Sequence, residues 1–251
     1  QPILGLAPMA GFTDAPFRAL CYRYGADYAA TEMVSAMGLL QAKPGNPAYQ
    51  RLMAVSPTEY ATACQLFGRD PQVMGEAAAK VSEMGCFAQI DLNMGCPARK
   101  VTGSGEGSAL LREPDRAARI MESVRLASRL PVSVKTRLGY DAASMNALAL
   151  AQAAEQYGLD HIAIHGRTRE QQYAGVADRE AVARIRELVR IPVWYNGDVN
   201  SPADALAALR ETRCAGLLIG RAALGNPFLF EGVRAALEGR PVRAIPDRER
   251  I

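Results

Sequence analysis

The sequence lacks the residues and patterns that mark several common classes of protein. It contains 5 cysteines without a CxxC pair, and its 2 histidines are too few to complete a zinc site beside them. No apolar run reaches the length of about 18 residues that a membrane-spanning helix needs, and no signal-peptide pattern is present. We therefore expect reduced thiols, no bound metal, no membrane association and a cytoplasmic location.

A strong excess of charge of one sign is also missing. The net charge is +3, which permits an acidic partner but is too small to demand a nucleic acid by itself. Hydrophobic residues make up 49% of the chain and charged residues 22%, a composition typical of a globular enzyme and wrong for a disordered chain. No GxGxxG motif follows the first apolar segment, which argues against an open dinucleotide-binding sheet.

The sequence does contain a regular alternation of short apolar segments with longer helical patterns. Strands are predicted at residues 3–8, 28–32, 61–66, 87–92, 132–136, 161–164, 193–195 and 216–219. Helices are predicted at residues 14–24, 71–84, 114–128, 142–157, 178–189, 202–210 and 222–238, and the segment after the second strand is expected to be irregular. Strands and helices that alternate over 251 residues predict an α/β fold, a (β/α)8 TIM barrel.

Local signals support the ends of several helices. Asp70 and Ser201 each precede a proline, the pattern of an N-cap followed by proline in the first helical turn. Gly25, Gly85 and Gly158 fall where a helix is expected to stop. These signals predict helices that begin after residues 70 and 201 and end before the three glycines.

The most informative stretch is Asn-Met-Gly-Cys-Pro-Ala-Arg-Lys at residues 93–100, directly after a predicted strand. Gly95 would let the backbone turn, and Arg99 and Lys100 set two cations near the thiol of Cys96. An unpaired cysteine is often a small apolar core residue, whereas a loop position beside cations is typical of a reactive thiol. The pattern is that expected of a proton donor to a polyanionic substrate, and a structural role for Cys96 remains the alternative. The glycine-rich run that follows, residues 102–107, is predicted to be a flexible loop.

Polar residues lie at the end of nearly every predicted strand or directly after it. They include Glu32, Gln65, Asn93, Lys135, His165 and Asn196. Because the carboxyl ends of barrel strands meet at one face, these side chains are expected to share a pocket. Glycines next to Asn196 and Arg221 follow the last two strands, where barrels often hold a phosphate, although both dipeptides also suit ordinary tight turns.

Lys135 and the two histidines have more than one interpretation. Lys135 could form a Schiff base in an aldolase-type barrel, hold a positive charge against a reduced flavin, or be a solvated residue at the end of its strand. His165 could donate a hydrogen bond to a ring carbonyl or a phosphate, or it could be structural. His161 opens its strand at the opposite face of the barrel and is interpreted as structural.

With these residues in view, the chain resembles the tRNA-dihydrouridine synthase family, and the bacterial B-type branch most closely. The resemblance rests first on residues 93–100 and extends from Ala7 to Ala223. Further similar motifs are Thr13-Asp14 with Pro16-Phe17-Arg18, Glu32-Met33, residues 165–169 and residues 196–198. The resemblance implies an FMN-dependent oxidoreductase that reduces the C5=C6 bond of uridine in tRNA with NADPH or NADH.

The resemblance also implies roles for individual residues. Cys96 would be the general acid that protonates C5 of the uracil after hydride has reached C6. Cofactor binding is implied for Pro8, Met9, Ala10, Gln65, Lys135, His165, Asn196, Gly197, Asp198, Gly220 and Arg221. Substrate binding is implied for Asn93, Arg99, Lys100 and Arg167, with His165 also near the uracil. The expected partners are tRNA and NADPH, and the protein is expected to be a monomer.

The resemblance further implies how the chain divides. Residues 1–239 would form the FMN-binding catalytic barrel, and residues 240–251 a linker and the start of a C-terminal helical tRNA-binding domain that is cut short. Three alternatives remain open from the residues. They are a dihydroorotate dehydrogenase-like or other small-molecule FMN ene-reductase, a Schiff-base aldolase that uses Lys135, and a catalytically idle barrel that binds flavin or RNA.

Overall fold

Within residues 1–243 and 245, which a computed structural model describes, nine parallel strands form one sheet. The strands are β1 (Ile3–Leu6), β2 (Tyr28–Ala30), β3 (Val34–Ser35), β4 (Thr62–Phe67), β5 (Gln89–Met94), β6 (Val132–Arg137), β7 (His161–His165), β8 (Val193–Asn196) and β9 (Gly216–Ile219). The α-helices are α1 (Ala15–Arg23), α2 (Ala36–Gln41), α3 (Pro47–Leu52), α4 (Pro71–Glu83), α5 (Arg99–Thr102), α6 (Pro114–Ala127), α7 (Ala147–Gln156), α8 (Arg179–Glu187), α9 (Pro202–Thr212) and α10 (Leu229–Leu237). Short 3-10 helices cover Gly107–Arg112 and Arg221–Ala223.

The sheet closes on itself. β1 pairs with β2 on one side and with β9 on the other, and β2 pairs with β4, so the ring runs β1-β2-β4-β5-β6-β7-β8-β9. Helices surround this closed parallel ring, and their apolar faces pack against its outer surface. The predicted (β/α)8 TIM barrel is therefore confirmed.

The segment after the second strand differs from the prediction. The predicted strand at 28–32 stops at Ala30, and the short strand β3 resumes beside β4 at Leu66. Between them the side chain of Thr31 accepts a hydrogen bond from the backbone N–H of Gln65. The Thr31 hydroxyl thus stands where a backbone carbonyl would accept in a continuous pair of strands. The span expected to be irregular contains β3 and the short helices α2 and α3.

The predicted helix ends are confirmed where local chemistry sets them. Asp70 accepts from the N–H of Val73, and Ser201 accepts from the N–H of Asp204, each a side-chain N-cap. Gly25, Gly85 and Gly158 all have a positive φ just after a helix, a conformation that residues with a Cβ rarely adopt.

The final helix begins later than predicted. Residues 221–223 form the 3-10 turn, and α10 starts only at Leu229, because Gly225 with φ +66° and the following Pro227 interrupt the helical path. In the predicted linker, residues 240–243 and 245 have no regular structure, and the helix expected at 247–251 lies outside the described residues. Among the described helices none is long and apolar enough to cross a membrane.

The inside of the barrel is filled at one end and open at the other. At the N-terminal end His161 stacks on Trp194 with 3.6 Å between ring centroids, and Tyr28 meets both rings edge-on. Burial lowers the pKa of His161 to about 3, so its ring is a neutral packing element at physiological pH. Above these rings the inward residues are small, chiefly Ala7, Ala30, Ala63 and Ala163. The small side chains leave room at the C-terminal mouth.

Candidate active site

A cavity of about 770 Å³ opens at the C-terminal mouth of the barrel. It is lined by strand ends and by the loops that follow them, which is where TIM barrels carry their chemistry. Every site residue named from the sequence lines it except Lys100 and Arg167. The residues that line it are Pro8, Met9, Ala10, Gln65, Asn93, Cys96, Arg99, Lys135, His165, Asn196, Gly197, Asp198, Gly220 and Arg221. The expectation that the polar strand ends share one pocket is confirmed for Gln65, Asn93, Lys135, His165 and Asn196, but it is wrong for Glu32, which is not among the residues that line the cavity.

Cys96 is held on the wall of this cavity by both of its backbone groups. Its N–H donates to Oδ1 of Asn93 at 2.9 Å, and its carbonyl accepts from Ser108 through the backbone N–H at 3.1 Å and the hydroxyl at 2.9 Å. The side chain is half-buried, and the thiol is free of any disulfide. The turn therefore places Cys96 in the cavity lining with a fixed backbone.

Gly95 was predicted to let the backbone turn before Cys96, but Gly95 and Gly107 have other roles here. Gly95 is not among the residues with positive φ. A Cβ there would lie 3.2 Å from the backbone carbon of Thr136, so Gly95 allows close approach to β6. Gly107 does have a positive φ of +58°, and a Cβ on it would lie 3.0 Å from the carbonyl oxygen of Cys96. The run predicted as a flexible loop thus packs against the Cys96 turn.

A line of hydrogen bonds connects the barrel interior to this turn. Oδ1 of Asn93 accepts from the N–H groups of Gly95 and Cys96, and its Nδ2 donates to Oε1 of Gln65 at 2.9 Å. Nε2 of Gln65 donates to Asp91 at 2.7 Å. Asn93 belongs to β5, where it pairs with Lys135, and does not lie on the turn as the sequence suggested. The side chains of Gln65 and Asn93 are thereby oriented by the protein itself.

The electrostatic potential of the cavity is set by clustered cations. Burial first, and then the nearby charge of Arg137, lower the pKa of Lys135 to about 8. Burial, followed by the charges of Lys135, Arg137, Arg167 and Arg221, lowers the pKa of His165 to about 2. Lys135 has no hydrogen-bond or ion-pair partner among the described residues, and His165 is neutral at pH 7. The cavity is thus suited to a ligand that carries negative charge.

The loops after β8 and β9 form the side of the cavity where a phosphate was predicted. Gly197 and Asp198 have positive φ values of +136° and +46°, so the backbone turns sharply where the chain leaves β8. Arg221 is exposed and lies over the ring of Tyr173, with its Cζ 4.2 Å from the ring centroid. A Cβ on Gly220 would meet only Ala7 and Met9, at 3.8 Å. This corner offers backbone donors and a cation.

Arg167 does not face the cavity, in contrast to its predicted role in substrate binding. It is 2% exposed, and its guanidinium donates to both carboxylate oxygens of Asp198, to His165 and to the carbonyls of Ala174 and Gly175. With its donors satisfied inside the protein, Arg167 joins the loops after β7 and β8. Burial opposes ionisation of Asp198, but these bonds and the charges of Arg167 and Arg221 lower its pKa overall. Because the carboxylate of Asp198 is bound by Arg167, the part of Asp198 available to a ligand is its backbone.

Arg99 and Lys100 begin the short helix α5 beside the thiol. Both are exposed, and neither side chain has a hydrogen-bond or ion-pair partner among the described residues. Arg99 lines the cavity, whereas Lys100 lies outside its lining. The two cations are therefore free to meet a ligand larger than the cavity.

The motif around Thr13 and Arg18 supports the loop after β1, which forms part of the cavity wall. Asp14 caps α1, and Thr13 holds both backbone groups of Met9 through its hydroxyl. Arg18 is almost fully buried, where it pairs with Glu59 at 2.7 Å and donates to the carbonyl of Thr13. These contacts fix the loop after β1, which contributes residues 8–10 to the cavity wall.

Three residues of the site were missed by the sequence reasoning. Asp91 lies within the strand predicted at residues 87–92 and Arg137 directly follows the strand predicted at 132–136, but neither was assigned a role, although alternation along β5 puts Asp91 on the same face as Asn93. Arg137 donates to the carbonyl of Gly95 at 2.9 Å and so supports the Cys96 turn. Tyr173 lies in a loop without any sequence pattern, and only the fold brings it to the cavity.

The chain was compared with protein families and with solved structures. A profile of the dihydrouridine synthase (Dus) family matches residues 5–251. A probable tRNA-dihydrouridine synthase from Rhodobacter capsulatus is 45% identical over 245 residues, covering 98% of this chain and 74% of the relative. The tRNA-dihydrouridine synthase B of Pseudomonas aeruginosa is 41% identical over 250 residues, again covering 98% of this chain and 74% of the relative.

Solved structures are similar at much lower identity. Histamine dehydrogenase from Rhizobium sp. 4-9 superposes with a TM-score of 0.67 at 16% identity, covering 96% of this chain and 46% of that chain. A 2-naphthoyl-CoA reductase superposes with a TM-score of 0.65 at 12% identity, covering 95% of this chain and 50% of that chain. These likenesses show the fold alone.

The family profile and the sequence relatives match nearly the whole chain, a range that spans residues 93–100. They confirm the resemblance inferred from that motif and the oxidoreductase class that it implied. The chain belongs to the dihydrouridine synthase family, in its bacterial B-type branch.

Proposed function

We propose that this protein is an FMN-dependent tRNA-dihydrouridine synthase that reduces the C5=C6 bond of uridine in tRNA with NADPH. The observation that carries the proposal is a free thiol, Cys96, whose backbone is fixed on the wall of a cavity rich in cations. The names of the relatives from Rhodobacter capsulatus and Pseudomonas aeruginosa support the same activity.

The residues of the cavity fit a flavin mononucleotide. One wall, formed by Ala7, Pro8, Met9 and Ala10, is apolar or small and suits one face of a flat ring. Lys135 has no partner among the described residues and could donate to the polar edge of that ring, as could the amide of Gln65. The backbone of residues 196–198 and the guanidinium of Arg221 suit a phosphate at the other end. A volume of about 770 Å³ accommodates a ligand of this size with space for a base.

Cys96 would act as the general acid of the reaction. When bound, a flavin reduced by NADPH would supply the hydride that adds to C6 of the uracil ring. The thiol of Cys96 can give a proton to C5 as that carbon becomes basic. Asn93 would hold the uracil through one N–H of its Nδ2 group, because its Oδ1 already accepts two backbone N–H groups and the other Nδ2 hydrogen is donated to Gln65. The N–H available for this faces Sδ of Met33 at 3.7 Å, a weak contact that a uracil oxygen would replace.

Arg99 and Lys100 would hold the tRNA around the target base. A uridine must leave its stack to reach the cavity, which costs a few kcal/mol and is easiest in a loop. Two exposed cations beside the mouth of the cavity can bind the phosphates that flank such a base. This arrangement favours a polynucleotide over a small metabolite as the substrate.

The decisive experiment replaces the proposed acid. We expect Cys96→Ala to bind FMN as the unmodified protein does and to form dihydrouridine in unmodified tRNA at least about 100-fold more slowly, the usual contribution of a general acid. Single-turnover assays with pre-reduced flavin isolate the chemical step. Cys96→Ser is the matched control for shape, and we expect it to remain slow because a hydroxyl is a much weaker acid. Unchanged single-turnover rates in Cys96→Ala would contradict the acid role.

The same protein preparations distinguish the proposed function from the three alternatives left open by the sequence. Protein that does not take up FMN, even when FMN is added, would favour the Schiff-base aldolase that uses Lys135. Reduction of a free pyrimidine as fast as tRNA would favour the small-molecule ene-reductase. Uptake of FMN without any turnover on either substrate would favour the idle binding barrel.

A further inference from the structure

Asp91 is a buried carboxylate that the proposed chemistry does not use. It lies on β5 inside the barrel, is 2% exposed, and has no ion-pair partner within 4.0 Å among the described residues. Its oxygens accept hydrogen bonds from Nε2 of Gln65 at 2.7 Å and from the hydroxyl of Ser133 at 2.8 Å. Burial of an acidic group costs free energy, which these two hydrogen bonds and the nearby charge of Lys135 offset in part.

The hydrogen bonds above Asp91 all run in one direction. Gln65 donates downward to Asp91 and accepts from Asn93, and Asn93 in turn accepts from the backbone of the Cys96 turn. The two ends of this line fix its direction, because a carboxylate only accepts and a backbone N–H only donates. Neither amide can rotate by half a turn without losing bonds at both of its ends. The line is therefore a single oriented unit.

We propose that Asp91 is a positioning residue whose carboxylate orients the amide of Gln65, and through Gln65 and Asn93 fixes the Cys96 turn. Gln65 and Asn93 both line the cavity, so the same line sets which of their polar atoms face a ligand. Asp91 itself is not among the residues that line the cavity. Its role is orientation, and it does not require the negative charge as such.

The variants are chosen to separate orientation from charge. Asp91→Leu removes the acceptor and leaves Nε2 of Gln65 without its partner. Asp91→Asn keeps an acceptor oxygen for Gln65, while its new NH2 group can donate to the Ser133 hydroxyl. Ser133→Ala is the matched control, because it removes the other bond to Asp91 without touching the line to Cys96.

The first measurement needs neither flavin nor tRNA. Hydrogen exchange at the backbone amides of Gly95 and Cys96, followed by NMR, reports how firmly Asn93 holds the turn. We expect exchange about tenfold faster in Asp91→Leu, the effect of losing roughly one hydrogen bond. Asp91→Asn and Ser133→Ala should stay within about twofold of the unmodified protein. Equal acceleration in Asp91→Asn would overturn the proposal, because the charge would then be what matters.

Gln65→Leu completes a double-mutant cycle and provides a second test in case Asp91→Leu does not fold. If Asp91 acts through Gln65, the change at residue 91 should add little once residue 65 is leucine. Additive effects on exchange would contradict the proposed line. Should Asp91→Leu fail to fold, Gln65→Leu alone breaks the same line nearer the turn. Unchanged exchange at Cys96 in Gln65→Leu would then overturn the proposal.

The second measurement is FMN affinity, and it rests on the proposed function. We expect Asp91→Leu to bind FMN about tenfold more weakly and Asp91→Asn to bind it nearly normally. If the unmodified protein does not bind FMN, the proposed function fails while the exchange measurement still decides the role of Asp91. If it binds FMN and Asp91→Leu binds equally well, the inference fails and the proposed function stands.

Discussion

Lys135 shows how burial sets the chemistry of a single residue in this barrel. Its side chain enters a mouth that also contains Arg137, and burial together with that neighbouring charge lowers its pKa to about 8. The charge of Asp91 acts in the opposite direction but does not offset burial. Lys135 is therefore mostly charged at pH 7 and mostly neutral at pH 9.

This titration predicts that FMN binding weakens as the pH rises through about 8. An ammonium group donates a stronger hydrogen bond to a ring oxygen than a neutral amine does. The affinity of the unmodified protein should therefore fall by about tenfold between pH 7 and pH 9.5. Fluorescence titration of FMN across this range measures the change.

Lys135→Met is the control for this pH dependence. It fills similar space without a titrating group, so FMN binding should be weaker at pH 7 and nearly constant up to pH 9.5. A profile in Lys135→Met that still falls through pH 8 would assign the titration to another group.

At the residue scale, the sequence predicted the members of the site better than their connections. Strand ends in a barrel necessarily converge, so polar residues there could be assigned from position alone. The line from Asp91 to Asn93 depends on which side chains face inward on adjacent strands, and therefore on their register. Arg167 is the opposite case. The sequence predicted that it binds substrate, and only its contacts in the fold show that its guanidinium is paired with Asp198 within the protein.

At the scale of elements, the loop after β5 is the part that most directly shapes the site. The chain leaves β5, forms the Cys96 turn and the short helix α5, and then returns so that Ser108 clamps the carbonyl of Cys96. Gly107 is the residue that permits this return, since its φ is +58° and it packs directly on Cys96.

We expect Gly107→Ala to damage both stability and the reaction. A Cβ would be strained at this φ and would lie 2.8 Å from Val101 and 3.0 Å from the carbonyl oxygen of Cys96. Left-handed strain together with overpacking should lower the free energy of unfolding by about 2–4 kcal/mol. Displacement of the turn should also slow dihydrouridine formation. Thermal unfolding and single-turnover assays measure the two effects.

Gly105→Ala separates strain from contact. Gly105 also has a positive φ, +80°, but a Cβ there meets only the end of the Arg69 side chain, at 3.3 Å. We expect a loss of about 1–2 kcal/mol from strain alone and a normal reaction rate. If both variants react at the same reduced rate, contact with the Cys96 turn is not what Gly107 provides.

The elements themselves followed from the sequence wherever a local cause sets them. Proline after an N-cap, and glycine after a helix, fix helix ends through a few neighbouring atoms, and those ends were predicted. The interruption between β2 and β3 was not predicted, because it depends on Thr31 bonding to a strand that lies far along the chain. Strands β4 to β8 extend one or two residues beyond their predicted ends, because pairing with neighbours continues into polar residues such as Asn93 and His165. Strand β1, in contrast, ends at Leu6, two residues before its predicted end.

At the scale of the molecule, the barrel combines a sealed base with an open mouth. Stacked rings close the N-terminal end, alanines form the middle, and ionisable groups gather at the C-terminal end. All residues that line the cavity lie between Ala7 and Leu224. We therefore propose residues 1–239 as the catalytic unit.

The sealed base predicts how the whole protein responds to acid. In the folded state burial lowers the pKa of His161 to about 3, whereas an unfolded histidine has a pKa of about 6.5. Between these values the unfolded chain binds one more proton at this site, so the free energy of unfolding falls as the pH falls. His165 acts in the same direction, while the raised pKa of the buried Asp91 acts against it.

His161→Phe isolates the contribution of one ring because phenylalanine can keep the stacking on Trp194 without titrating. Between about pH 6 and pH 4 its free energy of unfolding should fall less steeply than that of the unmodified protein, by about 1.4 kcal/mol per pH unit. Urea unfolding at a series of pH values measures both slopes, and at pH 7.5, where His161 is neutral in both states, the two proteins should differ little. Parallel slopes would mean that His161 takes up its proton without unfolding, which a ring sealed between Trp194 and Tyr28 should not allow.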